Sequence, residues 1–216
     1  MTIVTCFGST CFWKKTYLQL IFMDITGTVR KVIDFVMDIL ETVVFIGSLF
    51  IVVYLFVMQP NQVKGASMEP TFISGDYILT SKITYKLKAP ERGEVIVFKS
   101  PKNPDIEYIK RIIGLPGDVI EVRDNELYIN NKLVAENYIS AKTNLWDGGF
   151  LKDGEPITVP EGMIFVMGDN RPRSSDSREF GPVTLNSIIG QVFYRYYPAD
   201  KMGWIADPLK SNLFNK

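Results

Sequence analysis

Between Val43 and Met58 the chain carries no charged residue, and with Ile39 and Leu40 the apolar run reaches about the 20 residues that cross a bilayer. Phe45, Phe50, Tyr54 and Phe56 fall around the whole circumference of a helix built from it, whereas a soluble core helix keeps its apolar side chains to one face. The pattern predicts one transmembrane helix over 39–58, led in by a helix-compatible amphipathic stretch over 29–42. Lys14, Lys15, Arg30 and Lys31 all precede the run. The positive-inside rule therefore places residues 1–38 in the cytoplasm and the remainder across the plasma membrane, as a single-pass protein. A cleaved signal peptide is the rival, but about forty residues precede the apolar core, far more than its usual charged leader. Met1–Trp13 is too short for a second span, and Met23 offers an alternative start. With 216 residues in all, the anchor leaves room for one domain, expected over 59–205, and an exposed tail over 206–216.

A net charge of +0 gives no electrostatic argument for nucleic acid, and 46% apolar residues exclude a disordered chain. Cys6 and Cys11 both lie before the apolar run, so no disulfide framework or thiolate metal site is available downstream. The chain has no histidine, and a zinc site would have to rest on carboxylates alone. A zinc site is not expected.

After the anchor the periodicity becomes strand-like. Tyr77–Leu79, Glu94–Phe98, Ile106–Ile113, Val119–Val122, Glu126–Ile129, Met163–Met167 and Ile188–Tyr197 are β-branched or aromatic runs, most of them short. Gly75-Asp76, Arg92-Gly93, Pro116-Gly117-Asp118, Asn130-Asn131 and Gly168-Asp169-Asn170 punctuate them as turns. The expected fold is an all-β, antiparallel domain, with a tight hairpin at Asn130-Asn131 and mostly loop over 136–157.

Ser67, in the small-residue turn Gly65-Ala66-Ser67-Met68-Glu69-Pro70-Thr71, is a candidate nucleophile nine positions beyond Met58. That separation spans at most about 30 Å at roughly 3.3 Å per residue, so Ser67 is expected near the lipid interface. Without histidine its activator must be another base. A lysine can serve when neutral, but at a pKa of about 10.4 only roughly one in 2,500 is neutral at pH 7, so it must be desolvated. Lys110 sits within Ile106–Ile113, where alternation puts it on the face of Ile106, Tyr108 and Ile112, with Arg111 on the other. The competing reading is an edge-strand lysine that discourages aggregation. In the polar stretch Gly168–Arg178, Ser174 is placed to hydrogen-bond a neutral lysine amine, and Asp176 and Arg178 to pair. The competing reading there is a solvated surface loop.

In order and spacing, these segments resemble the type I signal peptidases, membrane-anchored serine proteases with a serine–lysine dyad. The resemblance spans about residues 40–200 and rests on Gly65–Thr71, Asp76–Leu79, Arg92–Phe98, Tyr108–Asp118 and Gly168–Arg178. It implies Ser67 as nucleophile, Lys110 as base, Ser174 as the group orienting the lysine, and Asp176 and Arg178 as a structural salt bridge. The implied fold is the β-sheet catalytic domain shared with self-cleaving repressors, in a short form. The implied substrates are secretory preproteins with signal peptides, cut after small residues at the first and third positions before the bond. The lipid bilayer is the other partner, and no cofactor is needed. Some members carry a hydroxyl residue where this chain has Gly65, so the oxyanion hole here is expected to use backbone N–H groups, chiefly that of Ser67. Two other classes remain open: a membrane-tethered binding domain that has lost activity, and a self-cleaving regulator. The latter would need a DNA-binding module where residues 1–58 offer a membrane span.

Overall fold

The computed structural model describes residues 9–209; the readings for Cys6 and for residues 210–216 lie outside the described residues. The chain divides at Val52/Val53 into two units. The first contains helix α1, Ser9–Val52, which runs without a break through Lys14-Lys15. Among the described residues, one stretch, Val29–Val57, is long and apolar enough to cross a membrane, with a mean hydropathy of 2.4. Phe45 and Phe50 are both exposed.

The second unit opens with a wide helical turn, Val53–Val57, and is otherwise built from antiparallel strands. These are β1 Met58–Gln62, β2 Tyr77–Ser81, β3 Val95–Lys99, β4 Glu107–Gly114, β5 Val119–Arg123 and β6 Glu126–Ile129. They continue with β7 Lys132–Leu133, β8 Ile157–Thr158, β9 Met163–Met167, β10 Val183–Thr184, β11 Ile188–Tyr197 and β12 Gly203–Trp204. Two one-turn helices interrupt them, α2 Thr84–Leu87 and α3 Ser177–Phe180. The large sheet runs β1-β2-β11-β3-β4-β9-β10, with β12 beside β11, and the small sheet runs β7-β6-β5-β8.

Strand β3 is buried on both faces, which its unbroken Val95-Ile96-Val97-Phe98 anticipates. Val95 and Val97 pack with Val63, Met68, Phe72 and Ile78, while Ile96 and Phe98 pack with Ile112, Ile164 and Val166. Burying each such side chain contributes about 1.5–3 kcal/mol. The small sheet packs Ile120, Val122, Leu127 and Ile129 against Phe165 and Met167. Its hairpins turn through Asp124-Asn125 and Asn130-Asn131, all four with positive φ, the geometry that matches the twist of two-residue hairpins.

Two features differ from the sequence reading. Strand β1 carries no strand signal, because Pro60 lies in it; the proline is tolerated because β1 is an edge strand, paired only with β2. The tail is not simply exposed. Leu209 is fully buried in the small-sheet core, where a Cβ on Gly93 would come within 3.1 Å of its own Cβ.

Candidate active site

Ser67 lies in the turn between β1 and β2. Gly65 supplies the positive φ of +92° that reverses the chain after β1, and Met68 and Phe72, both buried, fix the turn from inside. The Asn170 N–H donates to the Ser67 carbonyl at 3.0 Å, tying the turn to the end of β9. A Cβ on Gly168 would fall 2.4 Å from the same carbonyl and 2.1 Å from Ser174 Oγ, so only glycine fits there.

Lys110, on β4, is 4% exposed. Its Nζ lies 2.8 Å from Ser67 Oγ and 3.1 Å from the Ile109 carbonyl, and 5.2 Å from the centre of the Tyr108 ring. Burial pushes its pKa down to about 8, against the pull of the Asp176 and Asp169 carboxylates and with some help from the Arg178 guanidinium. The pair is therefore hydrogen-bonded in a site where the amine readily gives up its proton, which is the arrangement that activates a hydroxyl nucleophile.

The stretch Gly168–Arg178, for which a solvated loop is the competing reading, is largely interior. Arg178 and Asp176 are fully buried and bidentate, at 2.9 and 2.8 Å. Asp176 also accepts from the Gly168 N–H at 3.0 Å and from the Arg178 N–H at 3.2 Å, capping α3. Arg178 in turn donates to the carbonyls of Asn144 and Arg171 and stacks over Trp146. Ser174 is buried as well, but the hydrogen bond to Lys110 suggested by the sequence is not formed. Its Oγ has no partner, because it turns against the Gly168 backbone while Lys110 Nζ is engaged by Ser67 and Ile109. Gly65 directs its N–H at Ser74 Oγ, 3.4 Å away.

Two buried arginines carry more of the site than sequence reasoning gives them. Arg111 forms a bidentate pair with Asp169 at 2.9 and 2.6 Å, and Asp169 also accepts from Thr71 Oγ1 at 2.5 Å. One carboxylate thus ties the strand of Lys110 to the turn of Ser67. Arg171 pairs with Glu136 and donates to the Gly168 carbonyl at 3.1 Å. The available signal is Arg111 inside a strand, sharing its face with Ile109 and Ile113, since a charge there demands a partner. No group of three or more metal-ligating side chains occurs among the described residues.

Residues 36–197 match the family described as signal peptidase, peptidase S26. The chain belongs to this peptidase family. It is similar to signal peptidase I of Bacillus caldolyticus, 44% identical over 67% of this chain and 82% of that protein. It is also similar to signal peptidase IB of Staphylococcus aureus, 33% identical over 79% of this chain and 96% of that protein. A solved signal peptidase I from Enterococcus faecalis is 39% identical, covering 48% of this chain and 97% of its own, with a TM-score of 0.39. Like other S26 signal peptidases, the chain is a membrane-associated serine peptidase, a hydrolase.

Proposed function

We propose that this peptidase removes signal peptides from secretory precursors, with Ser67 as nucleophile and Lys110 as its general base. The observation that carries the reading is the 2.8 Å contact between Lys110 Nζ and Ser67 Oγ, made by a lysine that burial drives toward neutrality. Neutral Lys110 accepts the Ser67 proton as Oγ attacks the scissile carbonyl. The Ser67 backbone N–H supplies a donor to the oxyanion. The lysine then protonates the leaving amine, and the precursor's signal segment stays bound to Ser67 as an ester. Water deprotonated by Lys110 hydrolyses that ester and restores the hydroxyl. Gly168 and Asn170 hold the Ser67 backbone, and the Arg111–Asp169 pair holds β4 against the nucleophile's turn.

A cleft of about 440 Å³ runs from the dyad between residues 61–67 and 106–110. Strand β4 pairs with β3 on one edge, and with β9 only from Arg111 onward, so its Glu107–Lys110 edge is open. Strand β1 likewise pairs only with β2. Four antiparallel steps separate β1 from β4, so the two edges run parallel, both toward the dyad. An extended peptide laid between them adds a strand to both, with main-chain hydrogen bonds giving affinity and alternate side chains entering the cleft. Ile78, Val97 and Ile109 line it with apolar surface, which suits the small residues expected at the first and third positions before the bond.

In this reading residues 39–58 span the plasma membrane, 1–38 are cytoplasmic, and 59–205 act on precursors outside. The pH dependence of cleavage tests the base. Activity requires neutral Lys110, and neutral amine accumulates as pH rises through a pKa of about 8. Between pH 7 and 9 the neutral fraction climbs from about one-tenth to about nine-tenths, so kcat/KM is expected to rise roughly ninefold. A flat profile over that interval would remove Lys110 from the role of base.

A further inference from the structure

Ser67 lies within residues 63–76, a connection between β1 and β2 that contains no strand and no helix, so its shape depends on side chains that reach it from elsewhere. The segment after β9 supplies two ties, the Asn170 N–H to the Ser67 carbonyl and the Asp169 carboxylate to the Thr71 hydroxyl. A third comes from Arg195 on β11, two strands away from β4 in the large sheet. Its Nη1 donates to the Thr71 carbonyl at 2.8 Å and to Asp76 Oδ2 at 3.0 Å, while Nε donates to the Lys201 carbonyl at 2.8 Å. The guanidinium lies 5.5 Å from the centre of the ring of Phe72, which anchors the connection in the core. Thr71 is thus gripped at both polar groups, its hydroxyl toward β4 through Asp169 and Arg111, its carbonyl toward β11. Asp76 is fully buried, accepts the Ile73 N–H at 3.2 Å, and takes its counter-charge from Arg195.

Resting on the reading of Ser67 and Lys110 as the catalytic pair, we infer that Arg195 is a positioning residue for the nucleophile, acting through the Thr71 carbonyl. Between that carbonyl and Ser67 lies a single tight turn, closed by the Phe72 N–H on the Met68 carbonyl at 2.8 Å. A turn so short passes a shift at Thr71 on to Ser67 instead of absorbing it. The contact that such a shift lengthens is the 2.8 Å between Ser67 Oγ and Lys110 Nζ. That contact also covers the amine, so a looser turn admits water beside Lys110. Removing Arg195 shifts the turn for two reasons: the Thr71 carbonyl loses its donor, and a buried carboxylate is left without its counter-charge. An Arg195 that served stability alone would change how easily the domain unfolds and leave the geometry of the folded molecule as it is.

The test uses the full chain in detergent with a purified precursor, below the melting temperature of each variant, and reads kcat, KM and the pH dependence of kcat/KM. Arg195→Gln, neutral and too short to reach either acceptor, is expected to lower kcat about tenfold, less than the roughly hundredfold of a full 1 Å misplacement. KM should stay within about twofold, because the cleft itself is untouched. The midpoint of the rise with pH should move up from about 8 by about one unit, as water beside Lys110 restores part of its ordinary basicity. The charged groups that act on the amine, Asp176, Asp169 and Arg178, are the same in both proteins. Arg195→Lys keeps the charge and brings one ammonium toward both acceptors, so it is expected to recover most of the rate and to return the midpoint to near 8. Asp76→Asn combined with Arg195→Gln removes the unpaired carboxylate without restoring the donor to Thr71. It should melt higher than Arg195→Gln alone yet keep the low kcat and the raised midpoint, and it carries the test where the single variant does not fold. A wild-type kcat and midpoint in Arg195→Gln or in the double variant, whatever the melting temperature, overturn the inference and leave the peptidase reading standing. A wild type that does not cleave, or whose rate is flat with pH, overturns the parent reading and this one with it.

Discussion

Lys110→Met is expected to abolish precursor cleavage, lowering kcat by about 10³-fold or more, while making the domain more stable rather than less. The kinetic part follows from the loss of the one base in contact with Ser67. General-base catalysis alone contributes about 10² to 10⁴, and paired nucleophile and base act together, so removing one forfeits most of the effect of both. The stability part has the opposite sign. Lys110 has a folded pKa of about 8, below its unfolded value, so between pH 8 and 10.5 the unfolded chain binds the extra proton and stability rises with pH. Below pH 8 the full penalty of confining this amine is present, and methionine, similar in length and uncharged, removes it. The gain at pH 7 is at most about 3 kcal/mol, since each tenfold change in proton affinity between the folded and unfolded chain corresponds to roughly 1.36 kcal/mol. Thermal unfolding at pH 7 and near pH 10 checks this: the variant should melt higher at pH 7, and the difference should shrink at the higher pH.

Asp176→Ala is expected to destabilise the domain by about 3–5 kcal/mol, the cost of leaving a buried guanidinium without its counter-charge. The carboxylate holds Arg178 by two contacts, caps α3 through the Arg178 N–H, and accepts from the Gly168 N–H next to the nucleophile's tether. All of these groups are buried, so water cannot replace what is lost. Chemical denaturation should show the midpoint falling with little change in slope. Cleavage should fall as well, even where the protein remains folded, because Gly168 sits against the Ser67 carbonyl. An Asp176→Ala protein as stable as wild type would mean that Arg178 finds another anion.

Most of the strands are legible in the sequence because their local signals agree. Ile188–Tyr197 is mostly β-branched and aromatic, despite Gly190, Gln191 and Arg195, and is a strand over that whole range, and the Asn130-Asn131 hairpin is marked by residues that tolerate positive φ. Strand β1 is hidden by Pro60 and by its place directly after the apolar run, where a helical reading carries on. Leu209 gives no periodic signal: an apolar residue set between Pro208 and Lys210 acquires its role only from the core it reaches. At the site, the desolvation of Lys110 follows from its apolar neighbours, and the absence of histidine makes a lysine the natural base to look for. The partners of Arg111 and Arg171 lie 58 and 35 positions away in sequence, a separation across which no local pattern reports. Ser174 shows the opposite limit. The sequence brings a hydroxyl to the neighbourhood of the amine, but the orientation of a single side chain is decided by packing against Gly168.

Cleavage of secretory precursors rests on Ser67 activated by Lys110. It is tested most directly by single-turnover incubation of the full chain in detergent with a purified precursor, wild type against Ser67→Ala, at pH 9 where Lys110 is mostly neutral. Wild type is expected to release the mature protein, and Ser67→Ala none above the background rate. Equal release by the two proteins would contradict it.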